Sequence, residues 1–261
     1  MGYRSVPPAL PLAPWVDAYW EVAWHEPRPW PLRVVPDGCV DVVLNLGPAI
    51  TGRTEARLGV AAGRVMVVGM HRRFADLLCA PGTDVFGIRF RAGGLARFGA
   101  SSPLSELTEL AAEVDECAPA LSRALHEGGV ADAPDFATRC HCAEQALLTL
   151  RATGSRLDPR LTHALGRVQA AGGHLSVAAL AAEVCLSERQ LERLFQVGVG
   201  LSPKQLGEIL RFHAAYERLR AGPATPLGEL AFELGYYDAA HFSRRFKQLA
   251  GWSPSERFGL G

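Results

Sequence analysis

Leu180-Ala-Ala-Glu-Val-Cys185 returns fifty residues later as Leu230-Ala-Phe-Glu-Leu-Gly235, and this repeat decides how the chain is read. Leu191-x-Arg193-x-Phe195 then matches Phe242-x-Arg244-x-Phe246, and Gly200-Leu-Ser-Pro203 matches Gly251-Trp-Ser-Pro254, now at an offset of 51, so the second copy carries one inserted residue in its turn. Each copy reads as a short helix, a tight turn and a second helix whose apolar residues face the first, the helix-turn-helix plan. Ala181 and Ala231 are small where two helices approach. Gly235 can take the left-handed conformation that ends a helix and redirects the chain. Cys185 stands at the equivalent point of the first copy, where that conformation costs about 1 kcal/mol. Ser187-x-x-Gln190 spells a capping box, and Ser202-Pro203-x-Gln205 and Ser253-Pro254-x-Glu256 add Pro at the first helical position.

Between the copies, Leu206, Ile209, Leu210, His213 and Leu219 give 203–220 a helical period. At 1.5 Å per residue such a helix is roughly 27 Å long. It could hold two recognition helices near the roughly 34 Å separation of successive major grooves. The reading is an all-α C-terminal domain over 159–261, with helix-turn-helix units at about 176–197 and 226–250 around a linker helix at 203–220. A polar linker at 152–158 precedes it, where Asp158-Pro159 restarts a helix with an N-cap.

Residues 1–151 read as an α+β sensing or dimerisation domain, a β-rich, barrel-like meander followed by helices. Strands are expected at 33–35, 39–46, 64–70, 74–80 and 85–91, punctuated by Pro36-Asp-Gly38, Pro48, Gly52, Gly63 and Pro81-Gly82. Leu12, Val16, Tyr19 and Trp20 predict an opening helix over 13–24, and Leu104, Leu107, Leu110, Ala111 and Val114 another. A further helix is expected through Phe136, Cys140, Ala143, Leu147 and Leu150.

The 261 residues carry no net charge, but the charge is unevenly placed. Residues 1–150 hold 13 basic against 17 acidic side chains, and residues 151–261 hold 14 against 10. The basic surplus falls on the repeat, as an electrostatic footprint for DNA requires. No run of about 18 apolar residues offers a membrane span, and the proline-rich start lacks the features of a signal peptide. Six dispersed cysteines fit free thiols in a reducing cytoplasm.

The stretches LAAEVCLSERQLERLF (180–195), GLSPKQL (200–206) and LAFELGYYDAAHFSRRFKQLAGWSP (230–254) resemble the DNA-binding domain of AraC/XylS-type regulators. Residues 1–150 also look like the N-terminal domain of a poorly characterised subgroup, through PDGCVDVVLN (36–45) and GIRFR (87–91). The resemblance implies a cytoplasmic transcription regulator with one recognition helix in each unit. Carried over position by position, Ser187, Glu188, Arg189, Gln190, Glu192 and Arg193 belong to the first reader. Ala239, Ala240, His241, Arg244 and Arg245 belong to the second. Arginines there suit guanine edges or phosphates, and Ala239 and Ala240 suit thymine methyls. Arg193 and Arg244 recur between core positions and could instead serve internal ion pairs.

Enzymatic frames are missing: there is no G-x-S-x-G, P-loop, G-x-G-x-x-G or His-x-His. Cys140-His141-Cys142 invites a metal reading, but residues two apart on a helix point about 200° from one another. No enzyme, cofactor or metal site is expected. The partners implied are double-stranded promoter DNA, a small-molecule effector, a second copy in a homodimer, and RNA polymerase if the protein activates. Trp20, Trp24, Asp41, His71 and Arg89 are the candidate effector contacts. For Asp41 and Arg89 a ligand contact, a buried ion pair and a solvated face all remain open. Two further readings stand beside the effector-responsive one: a constitutive regulator whose N-terminal domain only dimerises, and a thiol- or metal-responsive regulator.

Overall fold

Runs of Val, Leu, Ile and Phe alternating with polar residues fold the first part of the chain into strands in this computed structural model, which describes residues 2–53, 58–153, 157–222 and 226–259. They are β1 (Gly2–Val6), β2 (Val16–Trp24), β3 (Trp30–Val34), β4 (Val40–Asn45), β5 (Thr51–Gly52), β6 (Val65–Val68), β7 (Ala75–Cys79), β8 (Thr83–Phe90) and, after the helix α1 (Gly94–Arg97), β9 (Ala111–Glu113). All pairings are antiparallel. A six-stranded sheet has the order β1-β2-β8-β4-β6-β9, and a three-stranded sheet has the order β3-β7-β5. Val22, Val43 and Val85 of the large sheet share a core with Ala75, Leu77 and Cys79 of the small one. The opposite face of the large sheet, with Val42, Phe86, Ile88 and Phe90, packs on helices. The central strands β4 and β8 are therefore buried on both sides.

Two expectations are corrected. Residues 16–24 form a strand, not a helix, and its register shifts by one residue between Val16 and Ala18. That bulge breaks the period of two and leaves the apolar residues at a spacing that mimics a helix. Residues 104–114 form a short 3-10 turn (Leu104–Leu107) and then β9, which pairs with β6. Local spacing cannot reveal that partner.

The helices continue as α2 (Val114–Cys117), α3 (Pro119–Glu127), α4 (Phe136–Thr153), α5 (Pro159–Ala170), α6 (Val177–Glu183), α7 (Glu188–Gly198), α8 (Pro203–Ala221), α9 (Leu227–Glu233), α10 (Ala239–Ala250) and α11 (Pro254–Phe258). Asp158 caps α5, and its carboxylate accepts from the backbone N–H of Arg160. Capping boxes at Ser187/Gln190, Ser202/Gln205 and Ser253/Glu256 all form as the sequence spells them. Each satisfies N–H groups that a helix start would otherwise leave unpaired. Of the linker assigned to 152–158, residues 154–156 lie outside the described residues.

The apolar core does not stop at that linker. One continuous cluster joins Val16, Phe90 and Leu107 of the strand region to Leu161, Leu165, Leu191, Phe195 and Leu206 of the first helix-turn-helix unit. The Thr108 hydroxyl donates to the Gly200 carbonyl across the same seam at 2.8 Å. The second unit has its own core of Phe212, Leu219, Leu230, Phe242, Phe246 and Leu249. Fully burying each such aromatic is worth about 1.5–3 kcal/mol relative to leaving it exposed. The first unit thus shares its core with the strand region, while the second has a core of its own, with Val35 packed against it and Arg33 donating to the Ala250 carbonyl at 3.4 Å.

Candidate nucleic-acid interface and an interior cavity

The residues expected to read DNA lie on α7 and α10, and they divide into free and committed side chains. On α7, Glu188, Arg189, Glu192 and Arg193 are exposed, while Leu191 and Phe195 are fully buried beneath them. Gln190 is spent on the cap, its Oε1 accepting from the Ser187 backbone N–H at 2.9 Å. The Ser187 hydroxyl bonds to the same Gln190 oxygen at 2.9 Å, so these two side chains hold the helix start. On α10, Arg244 is exposed above buried Phe242 and Phe246. Among the described residues neither Arg193 nor Arg244 is in an ion pair, so the internal-pair reading of both gives way to the outward one.

Arg245 differs from its neighbour. It bonds Glu208 of α8 at 2.5 Å and Gln248 at 2.6 Å, which ties the second reader to the linker helix. His241 is half-buried with its ring edge on Tyr236, and its Nδ1 has no partner among the described residues. Ala239 is half-buried and Ala240 exposed, so α10 offers small side chains at its start.

Asp238, which the sequence reading passed over, caps α10 by accepting from His241 N–H at 2.6 Å. It is the counterpart of Ser187, and buried Tyr236 is the counterpart of Leu186. Tyr237 is therefore the inserted residue of the second turn. It is 91% exposed, immediately before the reading helix. The change of offset from 50 to 51 was the signal that could have located it.

A second feature lies inside the strand region. Between the two sheets is a cavity of about 310 Å³, walled by Trp20, Val22, Trp30, Leu32, Val43, Leu58 and Leu77. Asp41, Arg89 and His71 line it too, and His213, Tyr216 and Glu217 of α8 face it from the C-terminal part. Trp24, the other tryptophan named as an effector contact, does not line it: its indole stacks on Trp30 and donates to the Arg28 carbonyl at 2.7 Å. The polar end is set by register, since Asp41 lies directly across from Arg89 in the β4–β8 ladder. Arg89 bonds both oxygens of Asp41, at 3.2 and 3.3 Å, and reaches Asp37 at 3.6 Å. The Trp20 indole N–H donates to Asp41 at 2.7 Å. Burial pushes the Asp41 carboxyl above the ordinary carboxylate value, against the pull of Arg89. The neighbouring carboxylates hold the Arg89 guanidinium charged. Among the alternatives for Asp41 and Arg89, the structure shows an ion pair that also lines a cavity.

The remaining candidates carry less. Cys140 and Cys142 lie on α4, where two-residue spacing separates them around the axis. Burial pushes the Cys117 and Cys140 thiols up to about 11, far from the thiolate that sensing chemistry needs. No described helix is long and apolar enough to cross a membrane.

Comparison with known proteins places both regions. A family model described as a helix-turn-helix domain matches residues 180–258, and one described as a domain of unknown function (DUF6597) matches residues 4–113. The chain is 35% identical over 86 residues to the arabinose operon regulatory protein of Salmonella typhimurium, covering 33% of this chain and 30% of that protein. It is 33% identical over 103 residues to the HTH-type transcriptional activator RhaS of Escherichia fergusonii, covering 38% and 36%. The chain thus spans about a third of the length of these curated relatives. A crystal structure of ToxT from Vibrio cholerae O395 bound to a naphthalenyl butenoic acid aligns with a TM-score of 0.49 at 8% identity, covering 100% of this chain and 99% of that one.

Proposed function

Since the C-terminal domain of this chain belongs to the AraC/XylS family of DNA-binding transcription regulators, a non-enzymatic family, we propose that the whole protein is an effector-responsive regulator that reads two successive major grooves with α7 and α10. The observation that carries the DNA reading is the pair of exposed arginines, Arg193 and Arg244, each set between buried apolar residues of its helix. That placement aims a guanidinium outward from a rigid element, which base readout requires. Arg189 adds a second cation to the first face, and Tyr237 flanks the second, placed to meet phosphate or a thymine methyl. Arg245 serves α10 by fixing it to α8.

The effector half rests on the cavity. Its volume is at the small end of the roughly 300–1,000 Å³ typical of ligand sites. Its wall is shared between the strand region and α8, the helix that joins the two readers. A ligand seated there touches both parts and can bias how the readers are held. A domain that only dimerised would have no need of such a space, so the cavity favours the effector-responsive reading over the constitutive one. The supporting experiment is unbiased mapping of genomic DNA bound by the full-length protein and by Arg193→Ala/Arg244→Ala. Discrete wild-type sites near promoters that vanish in the variant are expected. Binding with no sequence preference in both would overturn the proposal.

A further inference from the structure

The cavity has a chemical bias, and the inference from it rests on the effector reading just given. Among the lining residues the cations are Arg33 and Arg89, and the anions are Asp37, Asp41 and Glu217. Arg33 is fully engaged elsewhere, bonding both oxygens of Asp76 at 2.6 and 2.7 Å. Glu217 is held by Arg220 at 2.7 Å. That leaves Arg89 as the one permanently charged cation for two carboxylates, Asp41 and Asp37, among the described lining residues, with His213 lining the cavity as well. Two half-buried acids around one base want one more positive charge or hydrogen-bond donor. Burial raises the Asp41 carboxyl above its ordinary value, and the Asp37 charge adds to the rise against the pull of Arg89.

His71 points the same way. The residue is only 7% exposed, it lines the cavity, and its Nε2 has no hydrogen-bond partner among the described residues. Its ring is hydrogen-bonded to the backbone of Val35, and burial holds its pKa below the ordinary histidine value. A neutral ring that gives its one N–H to a carbonyl presents the other nitrogen as an acceptor. The polar end of the cavity therefore offers carboxylate oxygens and an imidazole lone pair, and its nearest cation is already taken. The apolar part of the wall includes Trp20, Trp30, Leu32, Leu58 and Leu77.

We propose that this cavity binds a small apolar amine, its ammonium group set against Asp37 and Asp41 with an N–H to His71, and its hydrocarbon or aromatic body between Trp20 and Trp30. Organic carboxylates are disfavoured, because they would place a third carboxylate where the one Arg89 guanidinium already serves two.

The test uses the full-length protein and three probes of nearly equal shape, phenethylamine, phenethyl alcohol and phenylacetate, titrated by calorimetry with tryptophan fluorescence in parallel. Phenethylamine is expected to bind at least about tenfold more tightly than phenylacetate, the discrimination of one unmet charge. Asp37→Asn and Asp41→Asn should each shrink that ratio. Asp37→Asn leaves the Trp20–Asp41 bond intact, so it stays informative if Asp41→Asn folds poorly. Val43→Trp, which fills the cavity, should abolish binding of every probe. If phenylacetate or the alcohol binds as well as the amine, or if the preference survives both asparagine variants, the amine assignment fails and the cavity reading stands. If none of the three binds, the effector reading itself fails.

Discussion

Cys185 and Gly235 occupy the same point of the repeat, and both are left-handed, with φ of 54° and 68°. Glycine takes this conformation without strain, whereas a side chain there costs about 1 kcal/mol. Cys185→Gly is therefore expected to stabilise the protein, by somewhat less than 1 kcal/mol once the extra freedom of the unfolded chain is counted. Gly235→Ala should destabilise by more, because its Cβ would also come within 2.3 Å of the His174 ring. Urea unfolding of the two variants checks both signs, and a loss of stability in Cys185→Gly would contradict the account.

Arg245 is assigned to holding α10 on α8, not to reading DNA. Arg245→Ala and Glu208→Ala should then behave alike. Each removes a half-exposed pair worth about 1 kcal/mol or less, and each should lower operator affinity to a similar small degree. An affinity loss confined to Arg245→Ala, measured by gel shift beside Glu208→Ala, would return Arg245 to the reading face.

Gly87 makes the polar end of the cavity possible. The Trp20 indole lies across it, so a Cβ there would sit 2.0 Å from the ring. Gly87→Ala must displace the indole and break its 2.7 Å bond to Asp41. The expected cost is about 1–3 kcal/mol, the range for overpacking a filled site. A shifted tryptophan emission should accompany it, and unchanged emission and stability would show the indole to be placed otherwise.

His71 makes stability depend on pH. Its folded pKa lies below the unfolded value of 6.5, so the unfolded chain binds the proton more readily. Its contribution is intact above about 6.5 and is lost as pH falls from there through the folded pKa. Asp41 acts with the opposite sign: its folded value is raised above the ordinary 3.8, so its contribution is present below that value and is lost as pH rises through the folded one. His71→Gln should flatten the pH profile of the melting temperature as pH falls below about 6.5. A wild-type slope that persists in the variant would assign it to another group.

How much of this was legible follows from where the determining contacts lie. The C-terminal helices were readable because their signals are local: Ser187 and Gln190 are three residues apart, and Cys185 announces its strain by standing where its repeat has glycine. The strand over 16–24 was misread because its bulge disguises the alternation. The cavity could not be read at all, since Trp20, Trp30, Leu77 and Tyr216 meet only through two sheets and a helix distant in sequence. Asp41 and Arg89 were nevertheless picked out as polar residues among apolar strands, and the fold brings both, with His71, to that one cavity. Tyr237 and Asp238 were hidden by a one-residue insertion that the repeat revealed without locating.

The most direct measurement is operator affinity of the full-length protein against Arg193→Ala and Arg244→Ala, on a site recovered by genomic mapping. Each substitution is expected to weaken binding by about 1–3 kcal/mol where the arginine meets a base, with the two losses falling on different half-sites of the footprint. Footprints and affinities indistinguishable from wild type in both variants would contradict the assignment of α7 and α10 as the readers.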